Sequence, residues 1–116
     1  MTLDEFRHEM EGYRQAVDKE AQEFKEPYLA VDRLYALYRR FDADERILAD
    51  QVLTEWVLSE RPSVRFDALA LIEDFRIIKA IPALETLAKR LPSSRSPGAP
   101  FELEKVNRII AELALG

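Results

Sequence analysis

The sequence predicts an all-α fold of about six helices. Apolar residues recur three and four positions apart in successive segments, which is the spacing of one face of an α-helix. Prolines and capping residues separate these segments and mark where helices begin. No segment alternates apolar and polar residues with the period of two that is typical of a half-buried strand. We therefore expect helices and no sheet.

The first two predicted helices lie on either side of Pro27. Thr2 and Glu5 have the spacing of a capping box, which opens a helix from about residue 3 to about residue 25. Its apolar stripe contains Leu3, Phe6, Met10, Tyr13, Val17, Ala21 and Phe24. Proline fits the first turn of a helix but not its interior, so helix 2 should begin at Pro27 and end near Phe41. Its expected core face consists of Leu34, Leu37 and Phe41, while Tyr28, Tyr35 and Tyr38 extend the apolar arc to one side.

A second capping signature predicts the start of helix 3. Asp42 is followed three residues later by Glu45, which places the helix at about residues 43 to 59. Apolar residues cover about half of its circumference, namely Leu48, Val52, Leu53, Trp56 and Val57, with Ile47 and Leu58 on another side. This wide distribution predicts a helix between several neighbours, with Trp56 in the core.

Prolines delimit the remaining helices. Pro62 precedes helix 4, at about residues 63 to 75, and Pro82 lies in the first turn of helix 5. The apolar side of helix 5 carries Leu84, Leu87, Ala88 and Leu91. Residues 92–100 contain three prolines, three serines and a glycine, so we expect a flexible loop there. The last helix should cover about residues 101 to 115, with Leu103, Val106, Ile110 and Leu113 in its stripe and Ile109 beside them.

Length and composition predict a single helical domain spanning residues 1–116. The chain of 116 residues is 47% hydrophobic and 34% charged, values close to those of globular proteins. Twenty-two acidic residues against 17 basic ones give a formal net charge of -5, which favours basic partners and disfavours phosphate backbones. The acidic start and the lack of a long apolar run predict a protein that is neither exported by a signal peptide nor embedded in a membrane, and the absence of cysteine fits a cytoplasmic location.

The residue types that carry most enzyme chemistry are scarce. The chain has no cysteine and a single histidine, His8, so neither a zinc site nor an imidazole dyad can be assembled. No glycine-rich phosphate-binding motif occurs among three glycines, and the serines suit caps and turns. We therefore predict no catalytic, cofactor-binding or metal-binding residues, and a protein that is not an enzyme.

Residues 61–91 resemble a HEAT repeat. The resemblance rests on the Pro-Ser-Val-Arg opening at residues 62–65, on Ala68 and Leu71-Ile72 in the first helix, and on Ala-Ile-Pro-Ala-Leu at residues 80–84. It implies a pair of helices joined by a tight turn. The glycine that often ends the first helix in that family is replaced by Glu73-Asp74-Phe75. Helices 2 and 3 would then form a degenerate preceding repeat capped by helices 1 and 6, and an irregular six-helix bundle is the alternative.

Two sets of side chains are candidate contacts for a partner. The first set lies along one edge of helix 2 and consists of Tyr28, Asp32, Tyr35 and Arg39. The second lies on helix 4 and consists of Asp67, Glu73 and Asp74, at positions that we expect to face solvent. For the tyrosines the alternative is a place at the edge of the core, and for the carboxylates it is a merely solvated face. Phe66 falls on the polar side of helix 4, so it either packs against helix 3 or is an exposed hydrophobic contact.

These patterns favour a non-enzymatic protein-binding module. Small acidic helical proteins of this kind are similar to bacterial immunity proteins, which implies a role in neutralising a basic toxin by direct binding. An adaptor or regulatory subunit of a larger complex is the alternative. A helical-repeat enzyme or nucleic-acid-binding protein is a third reading, and the net negative charge disfavours nucleic-acid binding. The sequence leaves the oligomeric state open.

Overall fold

The chain folds into α-helices, as predicted. The structure, a computed structural model, describes residues 2–24 and 29–115. These residues form six α-helices and two short 3-10 turns and contain no strand. The helices are α1 (Leu3–Phe24), α2 (Leu29–Arg40), α3 (Ala43–Val57), α4 (Pro62–Asp74), α5 (Ile81–Arg90) and α6 (Ala99–Ala114). Pro27 and Tyr28, assigned above to the start of helix 2, lie outside the described residues.

Two compact units make up the chain. The N-terminal unit is Met1–Val52 and the C-terminal unit is Leu53–Gly116, so the boundary falls within α3. The single domain expected from chain length stays a prediction. Trp56, which the sequence places in the core, is buried near the start of the C-terminal unit.

In the N-terminal unit, α1 packs against α2. The stripe of α1 is buried at Phe6, Met10, Val17 and Ala21, as its spacing predicts. The ring of Phe6 lies 5.1 Å from that of Phe41, centroid to centroid. The core face of α2 differs from the prediction, because it consists of Ala30, Val31, Leu34 and Tyr38 while Leu37 and Phe41 are only half-buried. Relative to the prediction, the buried face is rotated about the helix axis toward Tyr38, so Tyr38 belongs to the core and not to its edge.

In the C-terminal unit, α5 packs mainly on α6, and α4 also contacts α6. The two helices predicted for residues 61–91 are present as α4 and α5. The resemblance of this pair to a HEAT repeat stays a prediction. The core face of α6 is formed by Ala99, Val106, Ile109 and Leu113. Ile109, placed beside the stripe by the sequence, is fully buried, whereas Leu103 and Ile110 are only half-buried.

The connection from α4 to α5 adopts a helix-ending motif that usually contains glycine. Arg76 has a φ angle of 53°, in the left-handed region. The Ile77 amide donates a 3.0 Å hydrogen bond to the Ile72 carbonyl, which is the long bond of a Schellman turn. Arg76 thus occupies the position that glycine takes most easily. The absent glycine noted in the sequence is replaced, one residue further on, by a strained arginine.

The proline-rich segment is shorter than predicted. A 3-10 turn covers Leu91–Ser93, and α6 already begins at Ala99, so only residues 94–98 lie between them. Pro92 and Pro100 each lie in the first positions of a helical segment. Proline needs no amide hydrogen bond there, so these two prolines start helical turns instead of extending a loop.

Candidate functional site

A groove with two exposed aromatic rings lies at the start of α4 and α6 in the C-terminal unit. Its volume is about 430 Å³ and most of its lining is apolar. Phe66 is 41% exposed and Phe101 is 75% exposed. The lining consists of Pro62, Ser63, Phe66, Leu69, Phe101, Glu102 and Lys105. We refer to it as the Phe66–Phe101 groove.

Both rings lie outside the main core faces of their helices. On α4 the buried face includes Val64, Ala68 and Leu71, and Phe66 projects to another side. The nitrogen of Lys105, on α6, lies 4.5 Å from the centre of the Phe66 ring. This cation–π contact holds the partly exposed ring against α6. Phe101 follows Pro100 in the first turn of α6, away from that helix's core face. Phe66 therefore fits the exposed-contact alternative of the sequence prediction.

A bidentate ion pair joins α4 and α6 at the groove. The Arg65 guanidinium donates to both carboxylate oxygens of Glu102, at 2.7 and 2.9 Å, and to the Ser59 carbonyl at 2.9 Å. The side chains of Arg65 and Glu102 are only 11% and 18% exposed. The hydrogen bond to Glu102 raises the pKa of Arg65 above its ordinary value. Since Arg65 neutralises Glu102, Lys105 is the one lining residue whose charge has no ion-pair partner among residues 2–24 and 29–115.

The predicted acidic surface of α4 is altered by burial and pairing. Asp67 is 4% exposed, so the expectation that it faces solvent is wrong. At about 100° per residue, Asp67 lies about 40° from Leu71, so it borders the predicted core face and is not opposite to it. Glu73 accepts hydrogen bonds from the Arg108 guanidinium on α6, and this contact raises the pKa of Arg108. Asp74 is exposed, and it is the one predicted carboxylate that keeps the expected position.

Some of the contact residues predicted along the edge of α2 lie close together in the structure. Asp32 and Arg39 are exposed and Tyr35 is half-buried, with the Arg39 guanidinium 5.8 Å from the centre of the Tyr35 ring. Tyr28 lies outside the described residues. Tyr38 is buried, and its hydroxyl donates a 2.7 Å hydrogen bond to the Asp50 carboxylate. Burial, and then this bond, raise the pKa of the Tyr38 hydroxyl.

A smaller cleft lies between α1 and α2 in the N-terminal unit. Its volume is about 180 Å³. The lining consists of Phe6, Glu9, Met10, Tyr13, Leu37, Phe41 and Glu45. It combines aromatic and aliphatic walls with two carboxylates, and we call it the Phe6–Phe41 cleft.

The part of the chain that the structure describes has no candidate metal-binding site. Residues 2–24 and 29–115 contain no group of His, Asp and Glu side chains that could hold a metal ion. His8 is exposed on α1. Across the same residues, no helix combines the length and the apolar character that crossing a bilayer requires.

Comparison of the chain with models of protein families, with curated proteins and with solved structures gives no match. The groove contains two residues that the sequence did not single out, Phe101 and Lys105. A bulky aromatic residue directly after Pro100, outside the apolar stripe of its helix, is the signal that would have pointed to Phe101.

Proposed function

We propose that the protein is a non-enzymatic protein-binding module that uses the Phe66–Phe101 groove. The observation that carries the proposal is the exposure of two aromatic rings in one groove. Each ring leaves apolar surface in water at a cost of about 25 cal/mol per Å², and a partner that covers the rings recovers this free energy. Buried aromatic anchors dominate the energetics of many protein interfaces.

The composition of the groove supports the same proposal. Its volume of about 430 Å³ suffices to receive a bulky side chain of a partner. Ser63, Glu102 and Lys105 add polar groups to an apolar centre, as in protein interfaces with a hydrophobic core and a polar rim. The Arg65 contacts to Glu102 hold both walls in place, so little order has to be gained on binding.

A role like that of the bacterial immunity proteins is the more specific form of the proposal. The net charge of -5 supports a basic partner, because opposite charges accelerate association over long distances. A toxin that acts on nucleic acid is basic, and the chain would inhibit such a toxin in the cytoplasm. An adaptor function remains the alternative, in which the groove holds the chain in a larger assembly.

Affinity capture from the native extract, with a matched pair of variants, tests the proposal. Phe101→Ser removes an exposed ring of the groove, and Ile78→Ser removes an exposed apolar side chain of the same unit, 51% exposed, that does not line it. We expect Phe101→Ser to weaken the captured partner's Kd by about 30-fold, which corresponds to about 2 kcal/mol. Ile78→Ser should leave the Kd unchanged. Equal binding by all three proteins, with native circular dichroism, would contradict the proposal.

The biological setting is tested by expressing the captured partner. If the partner stops growth and the wild-type chain restores it while Phe101→Ser does not, the immunity role holds. Co-purification of the chain in a stable assembly of non-toxic proteins would favour the adaptor instead. Salt-dependent retention of labelled DNA or RNA, without a protein partner, would refute both.

A further inference from the structure

The Phe6–Phe41 cleft of the N-terminal unit has the size of one side chain. Its volume of about 180 Å³ is below the roughly 300 Å³ at which pockets for drug-sized ligands begin. The rings of Phe6 and Phe41 lie 5.1 Å apart, and the Tyr13 hydroxyl donates a 3.3 Å hydrogen bond to the Arg33 carbonyl. These contacts fix the aromatic walls. The cleft is therefore preformed and narrow.

The charges at the cleft are both negative. Glu9 is exposed, and one carboxylate oxygen of Glu45 accepts a 3.0 Å hydrogen bond from the Asp42 amide. Among residues 2–24 and 29–115, neither glutamate forms an ion pair. Arg46, next to Glu45 in sequence, has its guanidinium 5.2 Å from the Tyr38 ring centre and donates to the Arg39 carbonyl. Arg7, two residues before Glu9, pairs with Asp4. Both carboxylates thus remain available to a cation from outside.

We propose that the Phe6–Phe41 cleft binds a lysine side chain of a protein partner. The aliphatic stem of lysine packs against the apolar walls, and its ammonium group is attracted by Glu9, by Glu45 and by the aromatic rings. A neutral apolar side chain would fill the space and leave the carboxylates unused. The inference deepens the proposed function and rests on it only in requiring that the partner be a protein. A basic partner is also what the net charge of -5 favours.

A titration with two blocked amino acids tests the cleft without any partner. N-acetyl-lysine methylamide and N-acetyl-norleucine methylamide have the same linear stem, and only the first is charged. Amide chemical shifts of the 15N-labelled chain report where each compound binds. We expect the lysine compound to perturb the amides of the cleft residues in α1 and α2, with norleucine binding more weakly.

Two variants locate the charge that matters. Glu9→Gln removes a carboxylate of the cleft, and Glu11→Gln removes an exposed carboxylate of the same helix that does not line it. Glu9→Gln should weaken the lysine compound by about twofold to fivefold, the range of an exposed ion pair, and bring it close to norleucine. Glu11→Gln should bind like the wild type.

The inference is overturned by equal binding of the two compounds, by the absence of binding, or by shifts confined to other residues. It is also overturned if a free diamine such as putrescine perturbs the cleft residues at much lower concentration than the lysine compound, since a free amine would then be the occupant. None of these results depends on the Phe66–Phe101 groove. Failure of this inference is therefore distinguishable from failure of the proposed function, which is read from the partner's response to Phe101→Ser.

Discussion

The described helix starts of the two units, those of α1 and α3 against those of α4, α5 and α6, use different chemistry. In the N-terminal unit, the Thr2 hydroxyl accepts a 3.1 Å hydrogen bond from the Glu5 amide. Asp42 and Glu45 form a full capping box, in which the Glu45 amide donates to the Asp42 carboxylate at 2.8 Å and the Asp42 amide donates to the Glu45 carboxylate at 3.0 Å. In the C-terminal unit, α4, α5 and α6 have no side-chain cap and start with prolines. Side-chain caps satisfy free amides, whereas proline removes one. The C-terminal unit thus leaves the starts of its helices without capping side chains, and the Phe66–Phe101 groove is at two of these starts.

The surface depressions of the two units differ in the same way. The cleft of the N-terminal unit is narrow and has two carboxylates without ion-pair partners among the described residues, one of which also belongs to the capping box. The groove of the C-terminal unit is wide and apolar, and its carboxylate, Glu102, is neutralised by Arg65. One depression therefore suits a cation and the other an apolar side chain.

Loss of the Arg65 ion pair should have the largest effect. Arg65→Met keeps the aliphatic stem but removes the guanidinium that donates to Glu102 and to the Ser59 carbonyl. The side chains of Arg65 and Glu102 are mostly buried, so the carboxylate loses its donor in a place with little water. We expect the free energy of unfolding to fall by about 2–4 kcal/mol in urea titrations. Arg108→Met removes a more exposed pair with Glu73 and is the control, with a smaller loss that salt reduces further. Equal losses would show that the groove does not depend on its buried pair.

Loss of the Tyr38 hydroxyl should have an intermediate effect, in the N-terminal unit. Tyr38→Phe removes the bond to Asp50 and should cost about 1–2 kcal/mol at neutral pH. The pKa of Tyr38 is raised above the ordinary value of 10.0, so the folded state holds this proton when the unfolded state has begun to lose it. The stabilisation is therefore fully present below pH 10 and is lost as the pH rises further.

Urea titrations of the wild type and of Tyr38→Phe at several pH values check this sign. The difference in unfolding free energy between the two proteins should stay constant up to about pH 9 and shrink above pH 10. A difference that grows in this range would mean that Tyr38 ionises more easily in the folded chain, contrary to its burial.

Relief of the strained turn between α4 and α5 should have the smallest effect, and in the stabilising direction. Arg76→Gly places glycine at a φ angle of 53° and should raise the unfolding free energy by about 0.5–1 kcal/mol. Arg76→Ala is the matched control, because it loses the same 3.3 Å bond to the Glu112 carbonyl without relieving the backbone. Thermal denaturation of both variants makes the comparison. No gain by glycine over alanine would show that the turn is unstrained.

Local signals in the sequence predicted most of the helix boundaries. The capping residues Thr2 and Asp42 act on amides three residues away, and prolines constrain their own turn, so neither depends on distant contacts. The burial of Trp56 followed from the wide apolar distribution of helix 3 in the same way.

Errors arose where burial or binding depends on residues far apart in the chain. Tyr38 joins the core with Asp50, 12 residues away, and the helical projection of α2 contains no sign of that partner. A projection at about 100° per residue puts Asp67 about 40° from Leu71, at the edge of the buried face of α4, and whether an edge position is covered depends on what packs beside it. The groove needs Phe66 and Phe101 from different helices, and their pairing requires the packing of α4 against α6.

The footprint of the captured partner tests the central claim most directly. Hydrogen exchange of the chain, alone and in the complex, reports which amides the partner covers. We predict added protection at residues 62–69 and 99–105, where α4 and α6 form the Phe66–Phe101 groove. Protection confined to other residues, with both of these segments exchanging as in the free chain, would contradict the account.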